Sequence, residues 1–174
     1  MMPRRAAGYA EHFPVVCQGL ARGALIVSLD EFGKPNPMTI GWGTMGIVWG
    51  KPIWVVLVRE SRYTYQCLER TADFTVNIPY PDLQEAVDFC GSNSGRDYDK
   101  MVHCGLTARP SEHIQSPGIE QCGLIYECRV VQKTDVVPAY FVPEIRQGCY
   151  PQGDFHRVYF GEILATWADD PLRF

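Results

Sequence analysis

The chain has 174 residues, 46% of them hydrophobic, and a formal net charge of −4. That length predicts one domain, residues 1–174, with a core able to stand without disulfides or a structural metal. The acidic balance and the lack of a basic stripe with interleaved aromatics argue against a nucleic-acid partner.

The N-terminal stretch has Arg4 and Arg5 but no apolar run behind them, unlike a secretory signal. No stretch reaches the ~18 apolar residues that a membrane span needs. The seven cysteines are odd in number and irregularly spaced, with no C-x-x-C, and the four histidines show no H-x-x-x-H spacing. This pattern predicts a cytoplasmic protein with reduced, mostly buried thiols and no metal site.

In chain order, residues 23–29 are rich in β-formers and are closed by a turn cluster over 30–37. Met38 to Met45 resumes as a strand, and the apolar run 53–58 after Pro52 reads as a buried one. Ser61 is placed to cap a helix over 62–70. Phe74, Val76 and Ile78 alternate with polar residues at strand period. Leu83, Ala86, Val87 and Cys90 recur at helical spacing, with Gly91 at the expected C′ position. A turn-rich stretch over 92–97 follows, then a short helix over 98–104 stopped by Gly105. Strands return over 124–131 and 158–166, and 108–122 and 138–154 read as loops. Many strands with three short helices, not in regular alternation, predict a mostly β barrel with helical insertions.

Gly41 to Gly46 spell a literal G-x-G-x-x-G. A dinucleotide fingerprint needs a helix opening at its last glycine, and Ile47-Val48-Trp49-Gly50-Lys51-Pro52 is a poor helix. Two readings remain: a bent glycine-rich strand, or a strand on which a flat ligand lies against exposed backbone N–H and C=O groups.

In Val58-Arg59-Glu60-Ser61-Arg62-Tyr63-Thr64, a strand runs into a helix whose positive dipole end faces two arginines. That arrangement is unfavourable unless a bound anion reverses its sign. Helix-start N–H groups, the Ser61 and Thr64 hydroxyls and two guanidinium groups form a phosphate cradle; a surface helix with a routine serine cap fits the residues equally well. Ser92 to Lys100 is a second anion-friendly turn, to which Lys100 adds a point charge, although such residues also simply favour loops. Gly91 to Gly95 is not G-x-S-x-G, because its centre is Asn93, and no base accompanies its serines. His156 is a lone histidine before a strand, a type that is more often structural than catalytic. Cys122 and Cys128 read as packing residues.

Together these segments resemble the FMN-binding split-barrel proteins of the flavin reductase-like family, and within them the flavoredoxin-like branch. The resemblance rests on the stretches 36–46, 49–52, 58–64, 74–77, 90–100 and 156–163, in that order along nearly the whole chain. It implies a six-stranded antiparallel Greek-key barrel, a homodimer, and one FMN per subunit near the dimer interface. Carried over by position, Thr39, Ile40, Gly41, Trp42, Gly43 and Thr44 would lie along the isoalloxazine ring. Arg59, Ser61, Arg62, Tyr63 and Thr64 would hold the phosphate end, helped by Ser94 and Lys100. His156 matches a histidine near the flavin in some relatives and is the one catalytic candidate. The absence of a dyad or nucleophile is then expected, because a flavin carries the hydride and electron chemistry itself.

Three functions follow from the resemblance. The first is a reductase in which NADH or NADPH reduces bound FMN, which passes electrons to free flavin or another acceptor. The second is a flavoredoxin-like carrier between redox protein partners. The third is a flavin-binding module without turnover.

Overall fold

The computed structural model describes residues 3–174. Its strands are β1 (Arg4–Ala6), β2 (Ala24–Leu29), β3 (Pro35–Ile40), β4 (Gly43–Val48), β5 (Lys51–Arg59), β6 (Asp73–Pro79), β7 (Ala108–Arg109), β8 (Gly118–Ile119), β9 (Cys122–Asp135) and β10 (His156–Asp169). Its helices are α1 (Phe13–Arg22), α2 (Tyr63–Thr71), α3 (Gln84–Ser92), α4 (Lys100–His103) and α5 (Pro143–Cys149).

The main sheet is antiparallel throughout and runs β3-β2-β6-β9-β10-β5-β4, with β1 added along the far end of β10. A minor ladder pairs β7 with β8. The two edge strands, β3 and β4, are neighbours in the chain, joined only by Gly41 and Trp42. The three Cα–Cα steps from Ile40 to Gly43 span about 11 Å at most, so both edges of the sheet meet at this corner. Among the described residues no ladder joins β3 to β4, and the seam is not hydrogen-bonded. The sheet curls around a core in which Trp54, Phe74, Tyr126 and Tyr159 are fully buried. Each such side chain contributes on the order of 1.5–3 kcal/mol. A second, smaller core lies beneath α3 and α4, where Leu25, Val27, Val87, Cys90, Met101 and Ile119 pack together.

Several expected elements are redrawn. The strand expected over 38–45 is broken at Gly41-Trp42 into β3 and β4, which sit at opposite ends of the sheet order. β3 begins inside the expected turn, at Pro35. Prolines at positions 35 and 37 are tolerated there because β3 is an edge strand with a free N–H side. No helix opens after Gly46. Trp49 and Gly50, with φ of 52° and 69°, instead make a tight hairpin turn between β4 and β5.

Ser61 does not cap α2. Arg62 occupies the N-cap position and makes no side-chain cap bond, while the Ser61 hydroxyl donates to Asp154 Oδ2 at 2.8 Å. Gly91 is not the stop of α3, which continues through Ser92; a Cβ at Gly91 would lie 3.3 Å from Thr39 Cβ, so the glycine serves close helix–strand packing. The helix expected over 98–104 shortens to α4, capped by Asp99 Oδ1 accepting from Val102 N, and Gly105 (φ 62°) ends it as expected. The loops expected over 108–122 and 138–154 contain the β7–β8 ladder and α5. Sequence patterning missed α1 and β1, and five α-helices stand among the described residues where three helices were expected.

Candidate functional site

At the open seam two cavities of about 190 and 270 Å³ share Met38, Arg62 and Gly91 and so form one cleft. Its first half is lined by Thr39, Ile40, Gly41 and Trp42 from the corner, Leu57 and Arg59 from β5, and His156 from β10. Its second half is lined by Ser61 to Thr64, by Asn93 to Arg96 and by Lys100. The chemistry changes along its length. One end offers backbone and aromatic surface; the other offers cations, hydroxyls and a helix N-terminus, the combination that binds anions.

The two arginines of the cationic corner differ. Arg59 is clamped: Nη1 donates to Asp154 O at 2.8 Å, Nη2 to Cys149 O at 2.9 Å, and its guanidinium lies 5.1 Å from the Tyr150 ring centroid. An ion pair to Asp154 Oδ2 at 3.7 Å adds to this. Arg62 is exposed, and among the described residues its guanidinium has no hydrogen bond or ion pair. It stands at the uncapped start of α2, where both cavities meet. A cation there is unfavourable next to the positive end of the helix dipole, and a bound anion would remove that cost.

The loop between α3 and α4 closes the second half. Arg96 lies over the Tyr63 ring at 5.2 Å and donates to Ser61 O at 3.2 Å; the Ser94 hydroxyl accepts from Arg96 N at 3.1 Å. Gly95 sits so close to Asn36 that a Cβ there would lie 2.0 Å from Asn36 Oδ1. Asn36 is buried, donates through Nδ2 to Thr64 Oγ1 at 2.9 Å, and leaves its Oδ1 without a partner among the described residues. Lys100 is buried, and its ammonium donates to Cys90 O at 3.2 Å and Asn93 O at 3.3 Å. Burial lowers its pKa. Its hydrogen bonds therefore hold the loop from beneath.

At the aromatic end His156, the first residue of β10, pairs in register with Arg59. It is 8% exposed, and its ring lies 5.0 Å from the Trp42 ring. Tyr150 Oη sits 2.7 Å from His156 Nδ1. Burial first, then the nearby Arg59 charge, pull the His156 pKa down to about 4, so the ring is neutral at neutral pH.

The cleft thus gathers most of the residues singled out from the sequence: Thr39 to Trp42, Arg59, Ser61, Arg62, Tyr63, Thr64, Ser94, Lys100 and His156. Gly43 and Thr44 lie beyond the corner on β4 and line neither half, because the chain changes strands at Trp42. Sequence reasoning missed Tyr150, Asp154, Asn36 and Arg96. The first two lie on the β9–β10 connector, which carries no motif, and only the folded connector brings them to Arg59 and His156. Among the described residues no cluster of His, Cys, Asp and Glu could hold a metal, and no helix is long and apolar enough to cross a membrane.

An antiparallel sheet with helices packed over a cleft at its seam is the architecture of a known class. Residues 17–173 match the flavin reductase like domain, and the chain belongs to that family. It is 32% identical over 152 residues to an uncharacterized protein of Archaeoglobus fulgidus, a match covering 87% of this chain and 75% of that one. Among solved structures it is similar to the FMN-binding domain of a flavin reductases-like enzyme from Shewanella baltica: 18% identity, 99% of this chain, 80% of that chain, TM-score 0.73. It is also similar to the flavoredoxin of Desulfovibrio vulgaris (Miyazaki F): 24% identity, 87% of this chain, 72% of that chain, TM-score 0.71. At these identities the structural likeness speaks for the fold, the split-barrel architecture of flavin reductase-like proteins.

Proposed function

We propose that the cleft holds FMN, ring toward Trp42 and His156 and phosphate toward Arg62, and that the protein passes reducing equivalents from NADH or NADPH through it to free flavin or another acceptor. The observation that carries this reading is the Arg62 guanidinium, unpaired among the described residues, at the uncapped start of α2, where the aromatic and cationic halves join. The orphaned Asn36 Oδ1 beneath the same loop marks a site whose polar groups are not all satisfied from within. FMN, when bound, supplies the hydride and electron transfer.

The chain's residues bind and orient. Arg62, Ser94, Arg96 and the first amides of α2 take the anionic tail. The backbone of Thr39 to Trp42 reads the ring's polar edge. Trp42 and Leu57 keep water from its face. Lys100 and Arg59 act one step back, the first on the loop and the second on the connector.

The protein is proposed to work as a cytoplasmic homodimer. In support, Ile47 and Trp49 are 59% and 61% exposed on the β4–β5 hairpin, and Tyr140 is 85% exposed on the connector. Exposed apolar surface of this kind favours a partner copy. A flavoredoxin-like carrier is the second reading, favoured by the structural likeness to a flavoredoxin. Anaerobic mixing of the FMN-loaded protein with NADH and NADPH separates the two. Rapid bleaching of flavin absorbance is expected of the reductase; no bleaching, with ready reduction by dithionite, points to the carrier. A chain that takes up no FMN contradicts both.

A further inference from the structure

The β9–β10 connector, residues 136–155, reaches both partners of one ladder pair. Cys149 O and Asp154 hold Arg59, and Tyr150 meets His156. Tyr150 is 5% exposed, and among the described residues His156 Nδ1 is the one hydrogen-bond partner of its hydroxyl. A phenol has one proton to give. If Nδ1–H donated to Tyr150 Oη, the phenol proton would be left unpaired in a buried place, which costs about 1–3 kcal/mol. Donation from Tyr150 to Nδ1 satisfies both groups. A neutral imidazole that accepts at Nδ1 must carry its proton on Nε2.

We propose that Tyr150 is a positioning residue that fixes His156 as its neutral Nε2–H tautomer, so that His156 presents the cleft with a hydrogen-bond donor and not a base. The charges around the ring favour the neutral form on balance. Arg59 on β5 and Arg62 before α2 oppose a charged imidazolium, Asp154 on the connector favours one, and its carboxylate is engaged by Ser61 and Arg59. The Arg59 charge over the Tyr150 ring also strengthens the phenol as a donor. The group that a neutral N–H suits is an acceptor atom, a carbonyl oxygen or ring nitrogen, on a flat heterocycle. That last step rests on the proposed FMN reading; the tautomer does not.

The test is ¹⁵N-histidine NMR on the full chain, first without FMN and then with it. The expected wild-type spectrum has a pyridine-type Nδ1 and a pyrrole-type Nε2 for His156, and a slowly exchanging hydroxyl proton correlated with Nδ1. The opposite tautomer would overturn the proposal, whether or not any variant folds. In Tyr150→Phe the tautomer preference is expected to collapse toward a mixture, because the one hydrogen bond that holds Nδ1 as an acceptor is gone. An unchanged tautomer in a folded Tyr150→Phe protein would remove Tyr150 from the role. Adding FMN is expected to move the Nε2 resonance; FMN that binds and leaves it unmoved would overturn the donor role. Failure to bind FMN with the tautomer intact would sink the cofactor reading while still upholding Tyr150's control of the ring.

Discussion

Arg59 and His156 stand opposite each other in the β5–β10 ladder, and the same connector grips both. At the aromatic end of the cleft the arginine is therefore already occupied. Of the two arginines, the one left without a partner among the described residues is Arg62, three positions further on. This divides the two arginines, which look equivalent in the sequence, into one engaged by the connector and one that, among the described residues, has no partner.

Arg62→Ala is expected to weaken FMN binding by about 1.5–3 kcal/mol, the range for a charge-assisted hydrogen bond, with little change in thermal stability. Arg59→Ala is expected to weaken binding too but also to lower stability, because it strips the bonds to Cys149 O and Asp154 O. Flavin fluorescence titration beside thermal melts of both variants checks the split. Equal melts, or an Arg62→Ala protein with unchanged affinity, contradict it.

Lys100→Met leaves the carbonyls of Cys90 and Asn93 without their buried donor. The expected result is a destabilised α3–α4 loop and similar fractional losses for FMN and riboflavin. A loss confined to FMN would show instead that the ammonium reaches the phosphate.

Gly95→Ala places a methyl against Asn36 Oδ1 and within 2.9 Å of Tyr63 Cδ1. Overpacking of this kind costs about 1–3 kcal/mol. Urea unfolding should show the loss, and FMN affinity should fall with it because the loop is pushed off the cleft. An unperturbed variant would mean that the loop is looser than its contacts imply.

His156 supplies a pH signature. Its pKa of about 4 in the folded protein lies below the ordinary ~6.5 of an unfolded chain. Between these values the unfolded state binds the extra proton, so stability falls as pH drops from about 6.5 toward 4 and is fully retained above that window. In His156→Gln this part of the acid slope is expected to disappear. A variant with the same slope as wild type would place the titration elsewhere.

Sequence patterning marked the cleft better than the sheet around it. Strand periodicity found β2, β5, β6 and the centres of β9 and β10, because each buries apolar side chains at period two or in short runs. It ran β3 into β4 because the glycines of 41–46 hide a change of sheet edge, which is a tertiary event. It missed α1, whose buried face is only Val16 and Gly19, too few to set a helical period. The anion-friendly residues of 61–64 and 92–100 were legible from residue type alone. The roles of Tyr150, Asp154 and Asn36 were not, since each depends on a partner 6 to 95 positions away that only the fold supplies.

Equilibrium titration of the purified chain with FMN and with riboflavin tests the central assignment most directly. Saturable uptake of one FMN per chain is expected, with clearly weaker riboflavin binding and the difference largely lost in Arg62→Ala. No saturable FMN binding, or equal affinity for both flavins in wild type, would contradict it.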